Sequence, residues 1–466
     1  NLFKNIVRRN IVLRSYLRQL QAHNQGVVHA TLDPYGPGVA RVHLIPPKPD
    51  LFEDPESVMI INGHHILPVG SSWSWVIREF LNALNEHIKV PREVLPEEVE
   101  KIKSEVIKSI RTLYPNVKDV EKDLTTIVNI IIGVAKGDPQ FSQLGEGMSI
   151  REYSKYMSAP HRMDLLISPM KVGERWHCNQ KCLNCYAADL PQGEVEKDGI
   201  FPTATWKRII DKCRKLGIPQ LTFTGGEPTM RNDLVELVEY SKWFITRLNT
   251  NGLKLDRKYA QRLYDASLDG IQITLYSHKP EIHDFLVGKS GGFYRTVVGI
   301  KNCVDVGLNV SVNTPLIKLN KDYSEMLKFL NDLGVIYTGC SGLIPTGGAK
   351  HTLKEGDALS NKEMFETISD AVEIAHKLGM DIQFTSPGWL TNEQLNQLGL
   401  SIPACGACLS NMAITPKGDV IPCQSWLHDE ILGNFLTTPW EKIWNHPICK
   451  KMREMDDTEV CPLSQI

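Results

Sequence analysis

The spacing of hydrophobic positions changes character near residue 160. Before it, residues 10–23 set Ile11, Leu13, Leu17 and Leu20 among polar neighbours, which predicts a helix. Residues 26–32 and 39–45 alternate or run apolar like strands, and Pro34, Gly36, Pro37 and Gly38 supply the turn between them. Residues 58–61 and 65–69 pattern as a hairpin around Asn62 and Gly63. Trp73, Trp75, Val76, Phe80 and Leu84 then recur at helical spacing, and two or three further helices fill 96–135. These elements make an N-terminal α+β domain over residues 1–160.

From about residue 163 short apolar strands alternate with amphipathic helices. The strands are 165–168, 220–224, 245–249, 270–275, 309–313 and 334–337; the helices are 205–216, 232–243, 257–266, 294–306 and 322–333. Regular alternation of this kind predicts parallel strands with right-handed crossovers, hence an α/β fold. Six units are too few to close an eight-unit barrel, so an open partial (β/α)6 barrel is expected over 161–345. Functional residues should gather at the C-terminal ends of its strands. Residues 346–466 add a helix over 361–378, a strand near 382–384, and a hairpin whose turn is Pro416, Lys417, Gly418 and Asp419.

Composition narrows the function classes. The 466 residues carry a formal net charge of −2, are 42% hydrophobic and 23% charged, and so give no reason to expect nucleic acid or an anionic membrane as partner. The longest apolar run, 127–135, is too short to span a bilayer, and no secretory signal is evident. There are eleven cysteines, an odd number in a chain large enough not to need disulfides, so a cytoplasmic, metal-binding use is expected.

The chemistry centres on Cys178, Cys182 and Cys185, spaced C-x3-C-x2-C and followed by Tyr186. Three thiolates on one loop hold three corners of a cubane iron–sulfur cluster and leave one iron open to a chelating small molecule. Zinc is the competing occupant, with His177 or a distant residue as fourth ligand. The spacing and the aromatic residue resemble the radical S-adenosylmethionine (SAM) enzymes. The resemblance implies a [4Fe-4S] cluster on the three cysteines, SAM chelating the open iron through its amino and carboxylate groups, and backbone contacts to adenine beside Tyr186. It also implies a flavodoxin- or ferredoxin-type electron donor.

Other polar residues fall at strand ends in the order that resemblance expects. Gly225, Gly226 and Glu227 follow the second strand, where paired glycines admit a ligand close to the backbone and Glu227 can accept from an ammonium. Asn249, Thr250 and Asn251 end the third and suit ribose hydroxyls; Gln272 and Thr274 lie on the fourth, Asn313 on the fifth. The commoner family pattern has Arg-Gly where Val287, Gly288 and Lys289 stand, so Lys289 is the candidate for the SAM carboxylate, without a guanidinium's fork. Cys340, near the barrel mouth, is a candidate hydrogen-atom donor, although a buried thiol is more commonly packing. His64 and His65, adjacent on a strand, point to opposite faces and make a poor chelating pair.

A second group follows: Cys405, Cys408, Cys423 and Cys461, with Cys449 an alternative last ligand. The hairpin brings Cys408 and Cys423 together, and four thiolates close either a cluster or a zinc site. The C-x9-G-x4-C run resembles the SPASM/twitch extension of radical SAM enzymes, implying one auxiliary [4Fe-4S] cluster. Trp440, Ile443 and Trp444 look like packing. The combined expectation is a peptide-modifying maturase making a thioether, a C–C crosslink or an epimerised residue, with residues 1–160 as a winged-helix-like leader-peptide module, a lid or a dimerisation domain. A cobalamin-dependent methyltransferase is the runner-up, although Asp-x-His-x-x-Gly is absent, and a non-catalytic zinc protein the rival from another class.

Overall fold

The computed structural model describes residues 25–36, 38–47, 57–63, 65–89, 92–113, 118–138, 140, 147–188, 193–385, 390–403, 405–425 and 431–455. The expected helix over 10–23, His64 and Cys461 lie outside them. The chain divides into two compact units, one of residues 1–161 with 211–219 and 243–245, the other of the remainder. Residues 346–466 fall within the second unit.

The first unit contains β1 (Val28–Pro34), β2 (Ala40–Ile45), β3 (Ser57–Ile61), β4 (His65–Val69), α1 (Ser71–His87), β5 (Glu93–Val94), α2 (Pro96–Leu113), α3 (Val120–Ala135) and α4 (Ile150–Ser154). Its sheet runs β4-β3-β2-β1-β5, antiparallel except for β5 beside β1. The hairpin turns where expected: Asn62 and Gly63 both take positive φ, and Ile61 pairs with His65. The helical spacing read from α1 puts Val76, Ile77, Phe80, Leu81 and Leu84 into one core with Leu32, Val42, Leu44 and Ile131.

The second unit begins with β6 (Arg162–Ser168), β7 (Lys171–Val172), β8 (Arg175–Trp176) and β9 (Glu194–Val195). It continues with α5 (Thr203–Lys215), β10 (Gln220–Gly225), α6 (Leu234–Tyr240), β11 (Ile245–Thr250), α7 (Arg257–Asp265) and β12 (Gly270–Thr274), of which the end of α5 from residue 211 and Ile245 count with the first unit. Then come α8 (Pro280–Val287), α9 (Gly292–Asp305), β13 (Val310–Pro315), α10 (Tyr323–Asp332) and β14 (Tyr337–Ser341). The last part holds α11 (Ala349–Lys354), α12 (Asn361–Leu378), β15 (Asp381–Thr385), α13 (Asn392–Gln397), β16 (Asn411–Ile414), β17 (Asp419–Ile421), β18 (Gly433–Asn434), α14 (Trp440–Trp444) and α15 (Pro447–Glu454).

Five of the expected strands and a sixth that forms at 337–341 rather than 334–337 line up in the order β14-β13-β12-β11-β10-β6, with the registered pairs parallel. The sheet does not stop there. β15 adds a further parallel strand beside β14, and β16 joins β6 before β17 and β18 turn antiparallel, giving ten strands. The C-terminal extension thus continues both edges of the barrel sheet.

Alternation sorts the strand residues onto two faces. Met163, Leu165, Leu221, Phe223, Leu248, Ile271, Ile273 and Val312 are buried on one. The other face is polar: Arg162, Asp164, Gln220, Thr222, Thr224, Arg247, Asn249, Gln272, Thr274, Ser311 and Asn313. Leu166 shares the polar face and packs with Cys178, Cys185, Tyr186 and Ala413, so this face looks toward the cysteine loop.

Candidate functional site: the cysteine loop and the strand ends

The loop carrying Cys178, Cys182 and Cys185 emerges from a small sheet of β8, β7 and β9 just beyond β6. Backbone bonds fix it from several sides. Lys181 N and Leu183 N donate to the carbonyls of Val287 (3.0 Å) and Leu286 (2.9 Å), satisfying the C-terminal end of α8. Gly348 N donates to Cys185 O at 2.9 Å, and Thr346 Oγ1 to Tyr186 O at 3.0 Å. Asn251 Nδ2 donates to Asn179 Oδ1 at 2.6 Å, and Trp176 Nε1 to Gln180 O at 2.7 Å. A Cβ on Gly347 would stand 2.5 Å from Cys185 O, and one on Gly348 would collide with Leu183 O, so only glycine lets this strap lie on the loop.

All three thiols are half-buried. Burial pushes the Cys178 thiol up to about 12 and Cys182 up as well, with the charges of Cys185 and Glu227 adding to both. Among the described residues no cationic side chain figures among the causes of either shift. Thiolates here need positive charge from a bound metal group, and the donor set fits a cluster. Among the described residues no three His, Cys, Asp or Glu side chains converge on a single-ion site; a four-iron cube spaces its thiolates more widely than one ion does.

Glu227 is buried and almost fully used by the chain. Its Oε1 accepts from Thr229 N (3.0 Å), Thr229 Oγ1 (2.5 Å) and Thr250 Oγ1 (2.6 Å), and Oε2 accepts from Asn251 N (2.8 Å). Burial pushes its carboxyl up against these bonds. Glu227 and Thr250 therefore brace the strand ends, and only Oε2 retains accepting capacity for a ligand. Cys178 Sγ lies 3.7 Å from Gly226 O, and a Cβ on Gly226 would stand 2.6 Å from Pro169 O. The two glycines let β10 end against the chain leaving β6.

The remaining strand-end residues behave differently. Asn249, Gln272, Thr274 and Asn313 are half-buried on the polar face, and none forms a side-chain hydrogen bond among the described residues. Lys289 is half-buried just past the left-handed Gly288 that ends α8. Cys340 belongs to the opposite face: it is fully buried, hydrogen-bonds with the Tyr323 phenol of α10, and pairs in register with Phe384. That placement is packing, away from the polar wall. The sequence reading missed Asp164, Arg247 and the Thr346–Gly348 strap; charged residues inside otherwise apolar strands were the available signal for the first two.

In the second group Cys405 and Cys408 are buried and Cys423 is half-buried. Cys408 N donates to Asn411 O (3.0 Å) and Pro422 O (3.1 Å), which seats Cys408 across the hairpin from Cys423. Cys449, on α15, is buried and hydrogen-bonded to Cys408, whose thiol it pushes up, while the Arg453 guanidinium acts on both. Tyr186 feels the charges of Cys185, Asp164 and Cys423 together.

Residues 177–330 match the family profile of the Radical SAM superfamily, and residues 405–463 match the iron–sulfur cluster-binding SPASM domain. The AdoMet-dependent heme synthase of Oleidesulfovibrio alaskensis is 30% identical over 285 residues, covering 57% of this chain and 71% of that protein. This chain belongs to the radical SAM superfamily.

The Fe-coproporphyrin III synthase of Methanosarcina barkeri is 34% identical over 31% of this radical SAM chain, a match spanning only 35% of that relative. In fold, the chain is similar to SuiB of Streptococcus suis bound to its precursor peptide SuiA, with a TM-score of 0.57, 13% identity, and coverage of 92% of this chain and 89% of SuiB. The radical SAM and SPASM assignments bring a SAM-binding [4Fe-4S] cluster, an auxiliary iron–sulfur cluster and SAM itself. The reading as a non-catalytic zinc protein gives way to a radical SAM enzyme. Among the described residues no helix is long and apolar enough to cross a membrane.

Proposed function

We propose that this radical SAM enzyme modifies a peptide by abstracting hydrogen from one of its C–H bonds. Bound at Cys178, Cys182 and Cys185, the cluster and SAM supply the one-electron chemistry, with electrons from a flavodoxin- or ferredoxin-type donor. The chain's part is to hold and orient. Asn249, Gln272, Thr274 and Asn313, whose side chains form no hydrogen bond among the described residues, bind the polar groups of SAM. Glu227 Oε2 and the Gly225–Gly226 backbone take its ammonium, Lys289 its carboxylate, and the backbone at Tyr186 its adenine. Cys405, Cys408 and Cys423 hold the auxiliary cluster, and Cys449 completes the set, a role supported by its contact with Cys408.

The observation that carries the peptide reading is the extent of the likeness to peptide-bound SuiB, 92% of the chain, which includes much of the N-terminal unit. That unit's mixed sheet and helices suit leader-peptide docking. A tetrapyrrole substrate is the second reading, favoured by the 30% identity to a heme synthase. Anaerobic incubation with SAM and dithionite tests both. The expected result is 5′-deoxyadenosine together with a mass change in a peptide encoded nearby. Turnover of a tetrapyrrole with the peptide unchanged overturns the first reading; a peptide gaining a methyl mass only with cobalamin present replaces it with a methyltransferase.

A further inference from the structure

Arg247 stands in the middle of β11, on the polar face of the sheet, and its side chain is solvent-exposed. Among the described residues its guanidinium makes no hydrogen bond and no ion pair. Burial of its stem and the charge of Arg162 push its pKa down, while Asp164 partly offsets them.

The neighbours explain why it is left over. Two strands away on the same face, Arg162 Nε and Nη2 engage Asp164 Oδ1 and Oδ2 at 2.8 and 3.3 Å, so the one carboxylate nearby is committed. Two arginines against one aspartate leave this stretch of wall with a single net positive charge. The other strand acids on this face, Asp381 of β15 and Asp419 of β17, each stand four strands from β11. There is also room. Opposite Arg247 in register stands Gly270, and even an added Cβ there would come only within 4.0 Å of Arg247 Cγ.

Arg247 sits two residues before Asn249 on the same strand face, about 7 Å further from the cluster end by strand rise. The unpartnered amides of Asn249 and Gln272 lie between it and the cysteine loop. Under the proposed function those amides bind SAM, so a substrate lying on this wall beyond SAM meets one fork-shaped cation, whose geometry suits a carboxylate. We infer that Arg247 anchors a carboxylate of the substrate, fixing how deeply the reacting C–H bond enters the barrel. This deepens the proposed reaction and rests on the substrate entering by the polar face. The same group is carried by a glutamate- or aspartate-bearing peptide and by a tetrapyrrole propionate.

The test measures anaerobic equilibrium binding to the cluster-loaded, SAM-bound full chain with two probe pairs. One pair is coproporphyrin III and its methyl ester; the other is a glutamate-bearing synthetic peptide and its glutamine counterpart. In at least one pair the acid should bind about 10- to 100-fold more tightly than the neutral form. Arg247→Gln should abolish that discrimination, and Arg247→Lys should restore part of it because it keeps charge without the fork. Iron and sulfide content of the variants establishes that they fold. Equal binding of acid and neutral forms in both pairs, or discrimination that survives Arg247→Gln, overturns the inference. So does an equal loss of SAM affinity in Arg247→Gln, which would assign the guanidinium to the cofactor. If only the tetrapyrrole pair depends on Arg247, the anchor stands while the peptide reading falls.

Discussion

The two cysteine sites are built on opposite plans. The first presents three half-buried thiols on a loop held by backbone bonds from α8 and from the Gly347–Gly348 strap. The second is folded shut, with Cys405, Cys408 and Cys449 buried and Cys449 pressed on Cys408. An iron–sulfur site that must exchange a ligand needs rigidity from its second layer, because its first layer is deliberately incomplete. A site that only stores charge or braces the fold can close its first layer and dispense with such straps.

Breaking each plan should therefore give a different phenotype. The largest effect is expected at the open site: Cys182→Ala should abolish 5′-deoxyadenosine formation and remove one cluster's iron, while the auxiliary cluster's electron paramagnetic resonance signal persists. Next, Cys449→Ala should cost the auxiliary site at least the 10- to 100-fold in metal affinity typical of a lost supporting group, measured as iron released to a chelator. Cys461→Ala should cost less; the reverse order would make Cys461 the fourth ligand.

A smaller effect is expected at the strap. Gly348→Ala must displace the carbonyl of Leu183, at about 1–3 kcal/mol for overpacking, seen as a lower melting temperature and faster cluster loss from the first site only. The smallest is Asn251→Ala, which removes the bond to Asn179 and a local turn bond from Leu253 N, at about 1 kcal/mol each, and should raise the KM for SAM more than it lowers kcat. If Gly348→Ala harmed both sites equally, the contrast between a strapped open site and a self-closed one would be lost.

Much of this was legible in the chain because it is local. Most helical and strand periods and the turn at Asn62 and Gly63 are settled within a few residues and reappear in the structure, although the helix over 10–23 lies outside the described residues and the sixth barrel strand forms at 337–341. The strand-end residues were legible as a set, but not their division of labour. Glu227 and Thr250 bond to each other, whereas Asn249 and Gln272 form no side-chain hydrogen bond among the described residues, and nothing in a Gly-Gly-Glu-Pro string distinguishes a brace from a ligand contact.

By itself the sequence determined the order of elements, the face each strand buries, and the three thiols on one short loop, because those depend on backbone geometry and the next few side chains. Only the tertiary structure decided what lies far apart in the chain: β15 and β16 extending opposite edges of one sheet, Gly348 against Leu183, Cys449 against Cys408, Arg162 taking Asp164 and leaving Arg247 alone. Such pairings are set by how whole elements pack, and no local pattern encodes which distant surface a residue will meet.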